Sequence, residues 1–388
     1  MYASSSSYRA VDMLTAEETA KRLGISVATL YAYVSRGLIH SYPDPKNPRN
    51  RLYSEDEIDR RIPGKPLHGP VLESAITLID GDHLYYRGQD AIELATTKSI
   101  EEVASIVWNA SGFSSTQLHV ISGRGVEALP FMNRAASILP VVGARDPLAY
   151  DLRHHAVAQT GWRILNLLTS VAAETSELAD AIDDTLQKKW APKSRDLLRA
   201  ALILCADHEL NVSSFVARCV ASAGSNPYAV VAGGLAALEG NKHGGMTARV
   251  STMLDELERA RDLRAAIRER MRRGESIFGF GHRLYPNGDP RAELLLSMIG
   301  KRLPRFVAHA LLVCEELLGE KPTIDFALVA LARAVKLPDD APITIFAIGR
   351  TIGWIGHAIE QYARDEIIRP RARYVGPPPG SAGSAKAT

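Results

Sequence analysis

The sequence contains few cysteines, and their number and spacing exclude several classes of protein. Cys205, Cys219 and Cys314 are an odd set in apolar, helical surroundings. Such cysteines are typical of reduced thiols rather than of the disulfide framework of a small secreted domain. None lies in a Cys-x-x-Cys pair, so no zinc site is indicated. The helix-core setting of Cys205 and Cys219 also argues against a Cys-His nucleophile.

Long apolar runs and a strong charge of one sign are also lacking. No stretch reaches the roughly 18 uninterrupted apolar residues of a membrane span, and residues 1–10 are serine-rich without an apolar signal segment. We therefore expect no membrane partner and a cytoplasmic location. The formal net charge is +2, so DNA binding would require a local basic patch.

A helix-turn-helix pattern lies near the N-terminus. A capping-box pattern spans Thr15–Glu18, Gly24 ends the first helix, and Ser26 caps the second. With the proline-rich loop that follows, residues 1–62 resemble the winged helix-turn-helix module of MerR-type regulators. That resemblance implies DNA contact through residues 14–60. The module is not strongly basic, so a scaffold or assembly role is the alternative.

Residues 63–388 are predicted to form a mostly helical domain after a Pro- and Gly-rich linker at 61–69. Residues 73–88 alternate apolar and polar side chains around an Asp-Gly pair, which predicts a β-hairpin. A Gly- and Pro-rich tail at 377–388 is expected to be flexible. Apolar residues at helical spacing predict the following helices: 89–110, 131–139, 155–176, 195–206, 211–223, 228–240, 246–272, 291–318, 325–336 and 343–363.

The stretch Phe278–Ala292 is a candidate anion-binding loop. Its glycines let the backbone approach a ligand closely, and His282, Arg283 and Arg291 supply donors for a carboxylate or phosphate. A basic surface loop is the alternative, so the stretch needs support from the rest of the chain.

Three further histidines, His208, His243 and His357, lie beside glycine or other polar residues. A single histidine is more often structural than catalytic, although its side chain is the one best suited to proton chemistry near neutral pH. The histidines are widely separated and lack a metal-ligand spacing, so no metal is required.

Asp325 is a candidate general base. It lies between an isoleucine and a phenylalanine, whose apolar side chains would desolvate its carboxylate and make it more basic. Together with the histidines and with arginines at 291, 350 and 369, it suits removal of a proton beside a carbonyl. The resulting enolate could then attack a second, anionic carbonyl compound.

Short motifs follow one another in a fixed order between Gly69 and Gly376: Val71–Ile76, Tyr86–Gly88, Asp207–Asn211, His243–Gly245, Gly279–Ala292, Ile324–Phe326, Arg350–Gln361 and Ile367–Arg371. In sequence and order they resemble the citrate synthase family. The resemblance implies a mainly α, two-domain helical fold with a small β-hairpin. It places the large subdomain at about 70–240 and 336–376 and the small one at about 240–335, and it implies a homodimer.

The resemblance also implies roles for these residues. Asp325 would abstract a methyl proton of acetyl-CoA, and His243 would hydrogen-bond the thioester oxygen as it becomes an enolate. His282 would polarise the ketone of oxaloacetate. The carboxylates of oxaloacetate would be held by His208, Arg291, Arg350 and Arg369 of the partner subunit. No permanently bound cofactor is implied, because acetyl-CoA is a co-substrate.

The predicted helix 343–363 carries a polar face. Arg350, Trp354 and His357 follow i, i+4, i+7 spacing and therefore share that face. We interpret Trp354 as an interface or core residue and His357 as a supporting one. Glycines beside the face would permit close packing of the helix.

The chain departs from the family pattern at several positions. Pro286 replaces a common basic residue, and Ala327–Val329 replaces Tyr-Ser-Gly; Gly240–Lys242 and Met246–Thr247 also differ around His243. These positions shape the CoA and acyl pockets in the family, so the acyl donor stays open. The interpretations are citrate formation from acetyl-CoA, 2-methylcitrate formation from propionyl-CoA, and a DNA-binding regulator with a citrate synthase-like sensor body. Retention of the catalytic pattern argues against a pure sensor.

Overall fold

A computed structural model describes residues 13–23, 25–35, 39, 41–44, 47, 50–54, 58, 72–113, 128–179, 181–372, 374 and 376. The chain divides into two compact units, Met1–Glu73 and Ser74–Thr388. The predicted boundary at residues 62–63, the linker at 61–69, the tail at 377–388 and Gly24 lie outside the described residues.

The N-terminal unit contains the predicted pair of short helices. Its elements are β1 (Met13–Leu14), α1 (Ala16–Leu23), α2 (Val27–Ser35), β2 (Tyr42–Pro43) and β3 (Arg51–Ser54). The Thr15 backbone N–H donates to the Glu18 carboxylate at 2.8 Å, and the Glu18 N–H donates to the Thr15 hydroxyl at 3.3 Å. The Thr29 N–H donates to the Ser26 hydroxyl at 3.1 Å. Both predicted caps are therefore confirmed.

A small antiparallel sheet accompanies these helices. Strand β3 pairs with both β1 and β2, which gives the order β1-β3-β2. The buried side chains of Leu30, Ile39 and Tyr53 belong to the small core of this unit.

The second unit begins with the predicted hairpin. Strands β4 (Thr77–Asp80) and β5 (His83–Tyr86) pair antiparallel across Gly81 and Asp82, and β6 (Gln89–Asp90) pairs with β5. The alternation seen in the sequence places Leu84 and Tyr86 in the core.

The rest of this unit is helical, as predicted. The described helices are α3 (Ala91–Thr97), α4 (Ile100–Trp108), α5 (Phe131–Arg145), α6 (His154–Ala173), α7 (Ile182–Trp190), α8 (Arg195–Leu204), α9 (Val212–Ser222), α10 (Pro227–Leu238), α11 (Met246–Glu258), α12 (Leu263–Arg272), α13 (Pro290–Ile299), α14 (Arg305–Leu318), α15 (Ile324–Val335) and α16 (Ala341–Arg364). A 3₁₀ turn at Gly300–Arg302 follows α13.

Three helices predicted as continuous are each divided in two, and one helix was missed. The 89–110 prediction breaks where Ser99 starts α4 with a capping box, and the 246–272 prediction breaks where Asp262 caps α12. The 291–318 prediction breaks before Pro304. Helix α7 was not predicted because its sequence carries too few apolar residues to show a clear period.

Helix α16 is the central element of the second unit. It packs against α6, α8, α9 and α10 and is buried along almost its whole length. A Cβ on Gly356 would lie 2.9 Å from Val107, and one on Gly349 would collide with the Leu202 carbonyl. The predicted close packing through glycine is therefore confirmed. None of the helices among the described residues combines the length and apolarity needed to span a bilayer.

Candidate active site

One side of the site is formed by residues 205–208, the segment that follows α8, which lies along α16. The Arg350 Nε donates to the Cys205 carbonyl at 2.8 Å, and the Gly353 N–H donates to the Ala206 carbonyl at 2.9 Å. This close approach requires glycine at 353, because a Cβ there would collide with the next residue of the segment. The segment then turns and presents His208 beside the Arg350 helix.

A second part of the site is the glycine-rich stretch Phe278–Ala292, which is joined by backbone hydrogen bonds to the start of α15. The Gly281 N–H donates to the Lys321 carbonyl at 2.9 Å, and the Thr323 N–H donates to the Gly279 carbonyl at 2.8 Å. Gly279 and Gly281 have φ values of 83° and 75°, a region that favours glycine. These bonds bring His282 and Asp325, distant in sequence, to the same part of the fold.

Asp289 and Arg291 begin α13 as a buried ion pair. Asp289 caps the helix, and its two carboxylate oxygens accept from Arg291 Nε at 2.9 Å and Nη2 at 2.8 Å. The Ile324 N–H also donates to Asp289 at 3.0 Å. Burial alone would raise the pKa of the Asp289 carboxyl, but Arg291 holds it below its usual value. The pair therefore fixes one cation and ties α13 to the base of α15.

His208, His282 and Tyr285 form an aromatic cluster. The Tyr285 hydroxyl lies 3.0 Å from His208 Nε2, and the two histidine rings are 5.3 Å apart, edge to face. Burial, Arg291 and Arg350 lower the pKa of His208 well below its usual value. Burial and Arg291 lower the pKa of His282 to about 4. Both imidazoles are therefore neutral at pH 7.

The tautomer of His282 follows from one hydrogen bond. The Leu284 N–H donates to His282 Nδ1 at 3.2 Å. Because a backbone N–H can only donate, Nδ1 must carry a lone pair, and the neutral ring carries its proton on Nε2. His282 is thus a neutral donor through Nε2.

His243 lies on the Phe346 face of α16. Its ring is 5.7 Å from the Phe346 ring, which Arg350 covers at 5.0 Å. His243 Nε2 lies 2.8 Å from the Ser213 hydroxyl. Burial and Arg350 lower the pKa of His243 to about 3, so this imidazole is also neutral.

Arg350 offers two donors that the described part of the protein does not use. The residue is buried, and its Nη1 and Nη2 have no hydrogen-bond partner among the described residues. A buried guanidinium with two free nitrogens is costly unless an anion binds to it. The planar fork suits a carboxylate.

Asp325 lies in the first turn of α15 with an unusually basic carboxyl group. Burial raises its pKa to about 7, against the lowering effect of Arg291. The Oδ1 atom is buried and accepts no hydrogen bond from any residue that the structure describes, and the Thr323 hydroxyl is 3.5 Å from Oδ2. A carboxyl group with a pKa near 7 and a free oxygen is suited to proton transfer.

The structure brings together most of the predicted site residues. His208 lies 5.3 Å from His282, and Arg291 lies 5.6 Å over the Tyr285 ring of the same cluster. His243 and Arg350 both contact the Phe346 ring, at 5.7 and 5.0 Å. Arg369 is exposed after the end of α16. The predicted core position of Trp354 is confirmed, since its side chain is fully buried.

His357 is fully buried, with Nε2 3.3 Å from the Asp207 Oδ1. Sequence reasoning singled out neither Asp207 nor Tyr285 nor Ser213. Asp207 and Tyr285 do lie within the motifs around His208 and His282. A polar side chain within three residues of a candidate histidine was the signal that could have indicated them.

The positions that depart from the family pattern have different surroundings. Ala327–Val329 is buried inside the core face of α15. Pro286 is exposed and lines a pocket of about 320 Å³ together with His282, Arg283 and Lys321. Any cation for an anionic ligand in this pocket would have to come from Arg283 or Lys321.

Known proteins share this fold and sequence pattern. The family described as "Citrate synthase, C-terminal domain" matches residues 149–371, and "Helix-turn-helix domain" matches residues 13–62. Citrate synthase 2 of Bacillus subtilis is 27% identical over 347 residues, which cover 78% of this chain and 93% of the relative. The 2-methylcitrate synthase of Shewanella oneidensis is 27% identical over 370 residues, which cover 82% of this chain and 96% of the relative.

A solved structure, the citrate synthase of Thermotoga maritima, has a TM-score of 0.66 and 25% identity, and covers 80% of this chain and 94% of its own. The fold and site therefore define a mainly helical protein with a buried cationic pocket and a poised carboxylate. The chain belongs to the citrate synthase family, which comprises acyltransferase-type enzymes.

Proposed function

We propose that this protein condenses acetyl-CoA with oxaloacetate and water to give citrate and CoA. The observation that carries the proposal is a buried group of neutral histidines and charged arginines, one of which, Arg291, acts on the Asp325 carboxyl, whose pKa is about 7. Such a group supplies a base for a weakly acidic C–H bond and donors for the anionic partner.

The first step would be enolate formation. Asp325 takes a proton from the methyl group of acetyl-CoA, and the electron pair moves onto the thioester oxygen. His243 donates a hydrogen bond to that oxygen. For this it needs its proton on Nδ1, and the Ser213 hydroxyl, which donates to Asn211 Oδ1, would have to turn its proton toward His243 Nε2. Donors of this kind contribute about 3 to 4 kcal/mol each in oxyanion holes.

The second step would be carbon–carbon bond formation. The enolate carbon attacks the ketone carbon of oxaloacetate, while His282 donates a hydrogen bond from Nε2 to the ketone oxygen as charge develops on it. The net proton gained by the resulting alkoxide is the one that Asp325 took from the methyl group, so both side chains end in their starting states. Hydrolysis of the thioester by water then releases CoA and citrate. A neutral imidazole serves as a hydrogen-bond donor in this step, because loss of its one N–H proton would leave an imidazolate anion.

The carboxylates of oxaloacetate would be held by His208, Arg291, Arg350 and Arg369 of the partner subunit. The two free nitrogens of Arg350 support this role. The exposed position of Arg369 fits a residue that serves a second subunit in a homodimer. Closure of a small subdomain at about 240–335 would exclude water and strengthen these contacts.

Propionyl-CoA, which would give 2-methylcitrate, is the second candidate donor, because a relative named 2-methylcitrate synthase aligns along most of this chain. Purified protein should release CoA thiol from oxaloacetate with either thioester, and the ratio of kcat/KM values identifies the donor. One methylene is worth about 1 to 3 kcal/mol, which the pocket can supply in either direction. Absence of CoA release at micromolar enzyme with both thioesters would refute the proposal.

Contact with DNA through residues 14–60 is a separate proposal, supported by the helix-turn-helix match. Helix α2 has the sequence VATLYAYVS and carries no cation. Retention of a specific DNA fragment should be salt-sensitive and lost on deletion of residues 1–62. Equal binding to random DNA would contradict a regulatory role. The cytoplasmic location stays a prediction.

A further inference from the structure

Asp207 is a buried carboxylate in the middle of the hydrogen-bonded segment between α8 and His208. Its Oδ2 accepts from the Thr77 hydroxyl at 2.6 Å, and its Oδ1 accepts from the Ser214 hydroxyl at 3.3 Å. The His357 Nε2 lies 3.3 Å from Oδ1. Burial alone would raise the pKa of this carboxyl, but His357 and Arg350 hold it below its usual value, so Asp207 is ionised.

The segment and α16 are aligned residue by residue. Arg350, Gly353 and His357 meet Cys205, Ala206 and Asp207 in turn. Asp207 is therefore held two residues after Cys205, whose carbonyl accepts the hydrogen bond from Arg350 Nε.

The two buried arginines of the site are neutralised in different ways. Arg291 forms two direct bonds to Asp289, its own carboxylate. Arg350 donates only Nε, to a backbone carbonyl, and its other nitrogens have no partner within the described part of the chain. Burial lowers the pKa of Arg350, and Asp207 is the largest influence in the opposite direction.

We infer that Asp207 is a positioning residue for the substrate: a buried counter-charge that compensates Arg350 without bonding to it and leaves its Nη atoms free for an incoming carboxylate. The inference rests on the proposed function, since it names what controls the affinity for oxaloacetate. A direct ion pair to Arg350 would block the guanidinium. Without any counter-charge, Arg350 would be an uncompensated buried cation and would bind the dicarboxylate so tightly that release of product is slowed.

Replacement of Asp207 by asparagine separates this role from simple packing. An asparagine has the same shape, its Oδ1 can accept from Thr77 and its Nδ2 can donate to the Ser214 hydroxyl, so the polar contacts are kept while the charge is lost. Oxaloacetate should then bind more tightly. We expect roughly a tenfold lower Kd, because a buried negative charge no longer opposes the dianion.

The test is calorimetric titration of oxaloacetate into full-length wild-type protein and Asp207→Asn at one fixed pH. Asp146→Asn is the matched control, because Asp146 is also buried and accepts from Arg163 and Tyr228, which are not site residues. It should lower the Tm and leave Kd within about twofold. An unchanged or higher Kd in Asp207→Asn would overturn the inference.

A double-mutant cycle measures the same pairing without any ligand. Asp207→Asn and Arg350→Gln should each lower the Tm, and the double variant should be more stable than the sum of the two losses predicts, because the counter-charge is unnecessary once the cation is gone. This holds even if Asp207→Asn alone is insoluble, since Arg350→Gln should then restore soluble protein. Additive losses, or an insoluble double variant, would overturn the inference.

Wild-type protein that does not bind oxaloacetate would instead refute the proposed function, while the cycle still tests the pairing.

Discussion

At the scale of single residues, burial sets the protonation states on which the chemistry depends. It lowers the pKa of His243 and His282 to about 3 and about 4, and raises that of Asp325 to about 7. The histidines are thereby kept as neutral donors and the carboxylate is made a stronger base. Opposite shifts in neighbouring groups are what assign the acid and base roles.

Asp325→Asn should reduce kcat by roughly 10²- to 10⁴-fold, the usual contribution of a general base. The substitution keeps the shape of the side chain but removes its ability to take a proton. The Kd for oxaloacetate should stay within a few-fold of wild type, because Asp325 does not bind that substrate in the proposed mechanism. A near-normal turnover rate would show that another group is the base.

The rate should depend on pH through Asp325. Its pKa of about 7 means that the carboxyl is increasingly protonated, and inactive as a base, as the pH falls below 7. The kcat/KM for acetyl-CoA should therefore rise between about pH 6 and 8 and level off above that range. A profile that is flat from pH 5.5 to 8.5 would contradict the assignment.

The same shifts affect stability, with opposite signs. The histidine pKa values are lower in the folded state, so the unfolded state binds more protons below pH 6.5 and stability falls as the pH falls from there toward 4. Asp325 has a raised folded pKa, so its own contribution is lost as the pH rises from about 4 through 7.

At the scale of elements, the site depends on the contact between α16 and the segment after α8. Gly353 allows that contact, since a Cβ would collide with Asp207 and with the carbonyl that accepts the Gly353 N–H. Helix α16 thus acts as a template that sets the spacing between His208 and Arg350.

Gly353→Ala should lower the free energy of unfolding by about 1 to 3 kcal/mol, the usual effect of overpacking a core. It should also lower kcat/KM, because the segment that presents His208 would be displaced. Gly143→Ala is the control, since its Cβ would lie 2.9 Å from the Tyr228 side chain, which is not part of the site, so it should lower stability without lowering kcat/KM. Chemical denaturation and steady-state kinetics measure both effects. If both glycine variants behave alike, the contact does not position the site.

At the scale of the whole molecule, Arg369 raises the question of a second subunit. It is exposed after α16, and in the proposed mechanism it completes the site of the partner. A symmetric dimer would then exchange this residue in both directions.

Mixing two inactive variants tests that exchange. Asp325→Asn lacks the base, and Arg369→Gln lacks the exchanged cation. A mixed dimer has one site with a normal base and a normal arginine, so random remixing should restore about one quarter of wild-type activity. No gain on mixing would mean that Arg369 serves its own subunit, and an Arg369→Gln variant that is active by itself would mean that Arg369 has no role in catalysis.

Much of the fold could be predicted from the pattern of residues. The hairpin, the caps at Thr15 and Ser26, and most helices follow from local periodicity and turn chemistry. The breaks at Ser99 and Asp262 were missed because a capping residue inside a continuous apolar pattern looks like one more polar position on a helix.

The sequence by itself determined the secondary structure, the family motifs and the residue types of the site, because these depend on local chemistry and order along the chain. Only the tertiary structure decided which of those residues are neutral, which donors are free, and that Asp207 and Arg350 lie on the same contact between α16 and the segment after α8. The physical reason is that pKa shifts and unsatisfied hydrogen bonds arise from burial among groups distant in sequence.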